Sequence, residues 1–501
     1  MMPQLAFVAV TVATGWAALW PLRSRVGAAG YHLAAFPTGL LGWGLVATAA
    51  LALRTGYSWL LAGTVLIAFA AAFFALARHA LRAEEPGTRP LPAWTFAAWA
   101  LVLGAFTGAM ASWGISVFSH DGWAQYELYS WPLFDTGAGS LVMLGQRMLL
   151  PPAFHAAYHL FGGEFAGFVY PVLSLHVAVL VGAVTARAAR AAGRWTALAL
   201  TAVVVTAMVA HVTYLFMSIY VHSHTISALY LLLAGAGIMY AHESAQRAGH
   251  GAPLSPAWLL VAGTGVAGIF LSRPDGPAYA MAAVLLGGYA LVSARADRRG
   301  ISMLFAPVVV LAGAYTMATI INQGIWTTPK IGAGTLIGFT VLYAVIWALL
   351  RFVPFSRLDW LATGTNTLAL LVAVESIALV WLFRVLGEQA NTTIFTMMTN
   401  LLEQGGWRSF WPLITAMVIV SVVLSPREGR HPFTTALLFY AAQFFVIAFA
   451  VHGVTHPGRL GWGDSFNRVA FHSVPLIFAY LGVYAAGLTR TLGAGKTRTE
   501  T

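Results

Sequence analysis

The stretch SHDGWAQYELYSWPLFDTG, residues 119–137, concentrates carboxylates and aromatic rings between long apolar runs. Asp121 stands beside His120 and close to Trp123 and Tyr126. A carboxylate next to apolar side chains is partly desolvated, which raises its pKa and suits a general base. The flanking rings are of the kind that bind a sugar ring or a lipid headgroup. The spacing fits a structural role equally well, in which Asp121 caps the helix DGWAQYELY.

Residues 272–277, SRPDGP, place a cation and a carboxylate between two apolar segments. The guanidinium of Arg273 can hold a phosphate through two parallel hydrogen bonds. Asp275 can instead pair with Arg273, and the Pro-Asp-Gly run is also a favourable tight turn. A phosphate site and a simple turn therefore both fit this stretch.

A second candidate phosphate site lies in GWGDSFNRVAFHSVP, residues 461–475, at the start of the last apolar run. Asp464, Arg468 and His472 are spaced four residues apart, which places them on one helix face. A basic residue at the mouth of a cavity suits the phosphate of a lipid-linked substrate. The same spacing fits an Asp-capped helix with a local ion pair.

Histidines and a lone glutamate are the remaining candidates. His222 and His224, in YVHSHTISALY, have the His-x-His spacing of a metal site that a loop carboxylate would complete. Histidines lying near headgroups are the simpler interpretation, which also covers His452 and His456. Glu375, in LLVAVESIALVWLF, lies in the middle of an apolar run, where a carboxylate is costly and therefore indicates a function. It can equally be protonated and hydrogen-bonded to a neighbouring helix.

These residues belong to a chain of 501 residues that is 59% hydrophobic and only 9% charged. A soluble domain has about 25% charged residues. Apolar runs recur from end to end and predict an all-α polytopic membrane protein with about fifteen transmembrane helices, the first retained rather than cleaved as a signal peptide. The absence of cysteine excludes disulfides, thiolate nucleophiles and cysteine-ligated metals. The predicted spans are 5–20, 31–53, 58–80, 93–116, 165–186, 195–215, 223–241, 257–271, 277–292, 303–321, 331–350, 360–384, 409–424, 433–453 and 467–488.

The charged residues are sorted unequally between the two sides of the predicted membrane. Of the 27 Lys and Arg residues, 19 fall on one side, which the positive-inside rule predicts to be cytoplasmic. The basic pI therefore follows from topology and does not support nucleic-acid binding. Half of the 16 carboxylates fall on the external side: Asp121, Glu127, Asp135, Glu164, Asp275, Glu388, Glu403 and Asp464.

The longest external loop, residues 117–164, holds four of these carboxylates, and its second half is predicted to form interfacial helices around Arg147, Pro151 and Pro152. The chain contains no G-x-x-x-x-G-K-[ST] motif, and its internal loops are short and basic. We therefore expect chemistry at the external face, without direct use of a nucleotide.

Three of these stretches resemble the GT-C superfamily of integral-membrane glycosyltransferases, whose donors are polyprenyl-phosphate sugars. SHDGWAQYELYSWPLFDTG is similar to the loop after the family's first core helix, FLSRPDGPAYAMAAVLL to its R-P-[ED]-G stretch, and FNRVAFHSVPLIFAYLG to its closing helix. The resemblance predicts extra N-terminal transmembrane helices at 1–92, a catalytic core at 93–321, and C-terminal helices at 322–501 that complete the cavity. Where members often carry an Asp, this chain has His222, Ser223 and His224.

The resemblance implies inverting transfer of a sugar from a polyprenyl-phosphate donor to a hydroxyl of a glycan, lipid or protein acceptor. Asp121 would be the general base, with Asp135 in reserve, because direct displacement needs only one base. Arg273 and Arg468 would stabilise the departing phosphate. No cofactor is assigned, although a divalent cation stays an alternative. The residues expected to line the substrate are His120, Trp123, Tyr126, Trp131, His222, His224, Asp275 and Asp464. Of these, His222 and His224 are also the candidate metal ligands.

Two other functions fit parts of the same pattern. A proton-coupled secondary transporter would use Glu375 for coupling and broken helices around 272–276 for its substrate. A lipid-binding scaffold or flippase would need no base at Asp121. The concentration of polar residues at one face favours the transferase. Together with an Ala-, Gly- and Arg-rich composition, it predicts a protein of the bacterial plasma (inner) membrane with an external active site and a cytoplasmic C-terminus.

Overall fold

A computed structural model shows that the chain is built from α-helices. It describes residues 2–82, 128–137, 149–164, 166–219, 223–249, 251–273, 275–323, 333–353, 358, 360, 363–425, 432–455, 458–461 and 465–499. Within these ranges there are helices, turns and an isolated bridge between Pro253 and Asp297, and there is no strand. The predicted all-α class is confirmed.

The helices are labelled in chain order. The N-terminal half contains α1 (Met2–Leu19), α2 (Arg23–Leu53), α3 (Trp59–Arg82), α4 (Leu128–Thr136), α5 (Leu150–His159), α6 (Val169–Ala188), α7 (Arg194–Val209), α8 (Val212–Ile219) and α9 (Ser223–Ala248). The remainder contains α10 (Pro256–Ser272), α11 (Gly276–Ser293), α12 (Ser302–Gln323), α13 (Ala333–Phe352), α14 (Gly364–Leu386), α15 (Glu388–Thr399), α16 (Phe410–Leu424), α17 (Pro432–Thr455) and α18 (Ser465–Thr499).

In the described part of the chain, 9 helical segments are apolar and long enough to cross a membrane. They are Met2–Gly27, Gly30–Leu53, Trp59–Leu81, Val169–Ala192, Ser223–Ala248, Gly276–Ser293, Arg298–Ile321, Gly364–Leu386 and Arg468–Thr489. Further apolar helices of 10–17 residues occupy Arg194–Val209, Pro256–Ser272, Leu336–Phe352, Phe410–Leu424 and Thr434–Ala450. The chain is thus a multi-pass protein of a lipid bilayer. The larger predicted number of spans is not reached by these length and composition criteria, and the predicted span 93–116 lies outside the described residues.

The chain forms two compact units. The first unit comprises Met1–His176 and Ile219–Pro354, and the second comprises Val177–Ser218 and Phe355–Thr501. Each unit therefore combines segments that are distant in sequence.

In the first unit, α9 and α10 run antiparallel in close contact. A Cβ on Gly237 of α9 would meet the carbonyl of Trp258, and a Cβ on Gly265 of α10 would meet that of Tyr230. Small residues at such contacts let two membrane helices approach closely. The helix pair is anchored to α2 because Tyr230 Oη donates to Pro37 O at 2.7 Å.

Helices α11 and α13 run parallel to each other. Tyr343 Oη donates to Pro277 O at 2.8 Å near the start of α11, and Gly288 near its end lies against Leu350. Trp347 Nε1 donates to Ser302 Oγ at 3.1 Å, so the later half of α13 lies beside the start of α12.

These directions place several helix termini at one end of the first unit, which we call the Arg273 end. It contains the last residues of α2, α10 and α12 and the first residues of α9 and α11. Arg54 Nη2 donates to Ile321 O at 3.3 Å, which joins the end of α2 to that of α12. Tyr57 N donates to Phe134 O at 2.6 Å, so α4 lies at the same end.

The opposite end of the first unit is rich in arginine. Arg247 and Arg351 lie in the last turns of α9 and α13, and Arg298 and Arg299 lie in the turn directly before α12. Asp297 N there donates to Ala252 O at 3.1 Å, which ties the loop before α10 to the loop before α12.

Helix α5 lies in the second half of the loop 117–164, where helices along the membrane interface were predicted. All ten of its residues, including Pro151 and Pro152, are buried in the protein. One contact is Tyr57 Oη, which donates to Ala153 O at 3.3 Å. This part of the stretch therefore packs inside the first unit and does not lie along a surface; Arg147 is outside the described residues.

In the second unit, the predicted span 195–215 is interrupted. Helix α7 ends at Val209 and α8 begins at Val212. Between them, the His211 ring stacks on Trp407 with centroids 5.7 Å apart, and Thr213 Oγ1 donates to Gly406 O at 2.7 Å. The sequence has no Gly or Pro at this point, and both polar residues there, His211 and Thr213, contact the segment around Trp407.

Candidate functional site

Four polar residues meet at the Arg273 end and form what we call the Arg273 cluster: Ser223, His224, Arg273 and Asp275. The local sequence explains their positions. Helix α10 ends at Ser272, Arg273 is extended with φ −151° and ψ 156°, and Asp275 occupies the N-cap position of α11. Pro277 lies in the first turn of α11, where its missing N–H costs nothing.

Arg273 and Asp275 form a two-point ion pair. Arg273 Nε donates to Asp275 Oδ1 at 2.7 Å, and Nη2 donates to Oδ2 at 3.2 Å. The ion pair foreseen for this turn is therefore present. It is close to buried, since the side chains of Arg273 and Asp275 are only 12% and 10% exposed.

The third nitrogen of the guanidinium points across to α9. Arg273 Nη1 lies 2.9 Å from His224 Nε2 and 3.1 Å from Nδ1, and it is 3.4 Å from Ser223 Oγ. An arginine nitrogen can only donate, so the ring nitrogen that accepts this hydrogen bond carries no proton. His224 is buried and meets the cation as a neutral acceptor.

Two helix N-termini adjoin the cluster. Ser223 is the first residue of α9, and Gly276, the first residue of α11, directly follows Asp275. The positive end of a helix dipole and its unsatisfied N–H groups favour an anion. These termini and the guanidinium favour an anion at this end of the first unit, and the carboxylate of Asp275 already supplies one.

A pair of serines lies one turn further into the helices. Ser227 and Ser272 have their hydroxyl oxygens 3.0 Å apart, and Ser272 Oγ also donates to Ile269 O at 2.9 Å. These hydroxyls and Ser223 were not identified from the sequence. The four-residue spacing of Ser223 and Ser227 at the start of an apolar run was the available signal, since it places both on one helix face.

The other predicted site residues are placed separately. Trp131 and Asp135 are both exposed on α4, which also belongs to the Arg273 end of the first unit. Arg468 lies in the second unit, where it is buried near the start of α18 and precedes the buried His472 by one turn. The residues His120, Asp121, Trp123, Tyr126, His222 and Asp464 lie outside the described part of the chain.

No metal site is visible among the described residues, which contain no close group of three or more His, Cys, Asp or Glu side chains. Because His222 is outside the described ranges, the suggested metal pair of His222 and His224 stays a prediction. The observed neighbour of His224 is the cation Arg273, which is an unfavourable companion for a metal ion.

Glu375 lies in the second unit, near the middle of α14. Gln443 Nε2 of α17 donates to Glu375 Oε1, so the carboxyl group is hydrogen-bonded to a neighbouring helix. The hydrogen bond to a neighbouring helix agrees with the structural alternative for Glu375, in which it joins two membrane helices. The protonated state that this alternative includes stays a prediction.

The fold and the cluster define an all-α multi-pass membrane protein with a nearly buried ion pair at one end of its first unit. No protein-family model matches the chain, and comparisons with curated proteins and with solved structures found no match. A function must therefore be argued from the residues themselves.

Proposed function

We propose that the protein transfers a sugar, with inversion, from a polyprenyl-phosphate donor to a hydroxyl acceptor on a glycan, a lipid or a protein. The observation that carries this proposal is the Arg273 cluster, in which a buried guanidinium adjoins two helix N-termini at one end of a membrane protein. A phosphate on a prenyl chain reaches such a position from the bilayer, since its lipid tail remains among the helices.

Within the cluster, Asp275 would orient the guanidinium of Arg273, and His224 would give way to the donor phosphate. Asp275 holds the Nε and Nη2 side of Arg273 and thereby fixes the plane of the guanidinium. Nη1 donates to a neutral imidazole, and a phosphate oxygen is the stronger acceptor because its negative charge attracts the guanidinium. The donor phosphate would therefore take the place of His224 at Nη1 and leave the Asp275 pair intact.

The reaction would be a direct displacement. Asp121 takes the proton of the acceptor hydroxyl, the acceptor oxygen bonds to the anomeric carbon, and the electron pair of the breaking bond leaves with the prenyl phosphate. Negative charge that develops on the leaving phosphate is best met by a cation already in position, and Arg273 would be that cation. The family resemblance names Arg468 as a second cation for this role. Asp135 is the reserve base.

The membrane orientation that we propose puts the Arg273 end outside and the C-terminus in the cytoplasm of a bacterium. The arginines at the opposite end of the first unit, Arg247, Arg298, Arg299 and Arg351, support this orientation because cytoplasmic loops carry an excess of basic residues.

Transfer from a panel of radiolabelled polyprenyl-phosphate sugars tests the proposal, with purified protein in detergent and in nanodiscs. We expect product from the wild type and a loss of about 10²–10⁴-fold in rate for Asp121→Asn, the range for a general base. Arg273→Gln should also reduce the rate strongly. Arg54→Gln is the matched control, because it makes the same change at an exposed position of the same end and should leave the rate unchanged.

The rival function is proton-coupled transport through Glu375. Its expected signature is proton-driven uptake into liposomes that Glu375→Gln abolishes, with no sugar transfer from any donor. That result would refute the transferase. Equal product from the wild type and Asp121→Asn would instead move the base to Asp135.

A further inference from the structure

A second polar feature at the Arg273 end centres on Trp131 of α4. Its ring stacks on His159 at the end of α5, with ring centroids 4.0 Å apart and an interplanar angle of 25°. Trp131 is nevertheless 40% exposed. One face of the indole is thus covered by the imidazole, and Phe134 lies edge-on to the same indole with centroids 6.1 Å apart. A substantial part of the Trp131 side chain remains exposed.

His159 is held firmly beneath the indole. Its Nδ1 is 2.9 Å from Gly163 O, and since a carbonyl oxygen can only accept, Nδ1 is the donor. On the other side of the ring, Nε2 is 3.0 Å from Ser130 Oγ. Ser130 is fully buried and directly precedes Trp131. These two hydrogen bonds fix the rotation of the imidazole and hence the plane on which the indole rests.

The helix that carries Trp131 is tied down as well. Phe134 packs against the same imidazole with a centroid distance of 5.4 Å, and Phe134 O accepts the hydrogen bond from Tyr57 N. A ring that is already ordered loses little conformational entropy when a ligand binds to it. The indole is therefore preorganised as a flat, partly exposed surface.

Asp135 completes the feature. It is exposed and follows Trp131 by four residues, so the carboxylate and the indole share one face of α4. An aromatic face packs against the C–H face of a sugar ring, and a carboxylate at its edge accepts hydrogen bonds from sugar hydroxyls.

We propose that Trp131 and Asp135 form a sugar-binding platform, with the indole face for the ring and the Asp135 carboxylate for its hydroxyls. The ligand is a sugar ring of the donor or of the acceptor, and this assignment of the ligand rests on the proposed transferase function. The structure distinguishes Trp131 from an ordinary exposed tryptophan such as Trp195. Trp195 is 76% exposed and has Arg194 over its ring at 5.5 Å, whereas Trp131 rests on a buried, doubly hydrogen-bonded imidazole.

Direct binding tests the platform without requiring any transfer. The full-length protein in nanodiscs is titrated with fluorescently labelled pyranose and furanose oligosaccharides, with a polyprenyl-phosphate sugar, and with the polyprenyl phosphate that lacks the sugar. We expect Trp131→Ala to weaken sugar binding about tenfold, and Trp131→Phe to weaken it less because a ring is retained. Asp135→Asn should weaken it as well, while Trp195→Ala is the matched control and should bind like the wild type.

Comparison of the ligands in this panel shows whether the bound sugar belongs to the donor or to the acceptor. An effect of Trp131→Ala on the free oligosaccharide indicates an acceptor site, and an effect on the lipid-linked sugar but not on the sugar-free prenyl phosphate indicates a donor site. Equal affinities of wild type and Trp131→Ala would overturn the platform, as would a wild type that binds no member of the panel. If Trp131→Ala lowers the thermal stability and leaves sugar binding unchanged, Trp131 anchors the protein to lipid headgroups and does not bind a sugar. Sugar binding that depends on Trp131 in a protein without transferase activity would refute the proposed enzyme and retain the platform.

Discussion

Asp275 and Glu375 are both carboxylates in an apolar protein, and they have opposite kinds of partner. Asp275, in the first unit, receives two hydrogen bonds from the guanidinium of Arg273 at a junction between helices. Glu375, in the second unit, receives a hydrogen bond from the neutral amide of Gln443 in the middle of a membrane span. One carboxylate compensates a buried charge, and the other joins two helices.

The difference matters because the two partners respond differently to loss of the carboxylate. A guanidinium cannot give up its proton, so Arg273 without Asp275 is a buried charge with a large desolvation cost. A neutral amide that loses its acceptor costs much less in a membrane, since other acceptors become available to it. Substitutions at three places in the structure test this contrast, in order of decreasing effect.

The largest effect is expected for Asp275→Ala. Removing one partner of a buried ion pair costs about 3–5 kcal/mol in the free energy of unfolding. Denaturant-induced unfolding of the protein in mixed micelles measures this change. The double variant Arg273→Met, Asp275→Leu should recover most of the stability, because the cation is removed together with its partner, and it should remain inactive in sugar transfer. A stable Asp275→Ala protein would mean that Arg273 has sufficient alternative partners.

A smaller loss is expected for His224→Leu, which removes the neutral acceptor of Arg273 Nη1. Leaving a buried donor without that acceptor costs about 1–3 kcal/mol. His224→Gln, which retains an acceptor oxygen, should lie between the wild type and His224→Leu in the same unfolding assay. If His224→Gln is as unstable as His224→Leu, the hydrogen bond to Arg273 is not the source of the effect.

The smallest effect is expected at the Glu375–Gln443 contact. Gln443→Leu should cost about 0.6 kcal/mol, the average for a hydrogen bond between membrane helices. Glu375→Gln keeps a hydrogen-bonding side chain and should change neither the unfolding free energy nor the rate of sugar transfer measurably. A Glu375→Gln protein that loses function while remaining folded would contradict the structural role of Glu375 and reverse the contrast with Asp275.

The interaction between Arg273 and Asp275 could be foreseen because the two residues are only two positions apart in a turn. The contact between Arg273 and His224 could not be predicted from the sequence. His224 lies 49 residues away from Arg273 and reaches it only through the antiparallel packing of α9 and α10. The same holds for Gln443, which is 68 residues from Glu375, and for His159, which is 29 residues from Ser130.

Two errors of the sequence interpretation have a common cause. The run around His211 is mostly apolar and contains no Gly or Pro, so one span was expected where α7 and α8 are separate helices. The α5 segment combines prolines with aromatic residues, so an interfacial helix was expected where a fully buried one is found. In both cases the decisive contacts come from residues elsewhere in the chain, which periodicity and composition do not report.

The amino-acid sequence by itself determined that this protein is an all-α membrane protein and where most of its helices lie. The reason is that a bilayer forces each spanning segment to satisfy its own backbone hydrogen bonds and to be apolar over a fixed length. Only the tertiary structure decided which polar side chains meet: Arg273 with His224, Trp131 with His159, and Glu375 with Gln443. These contacts join helices that are distant in the chain, and their formation depends on helix direction and packing, for which the sequence carries no local signal.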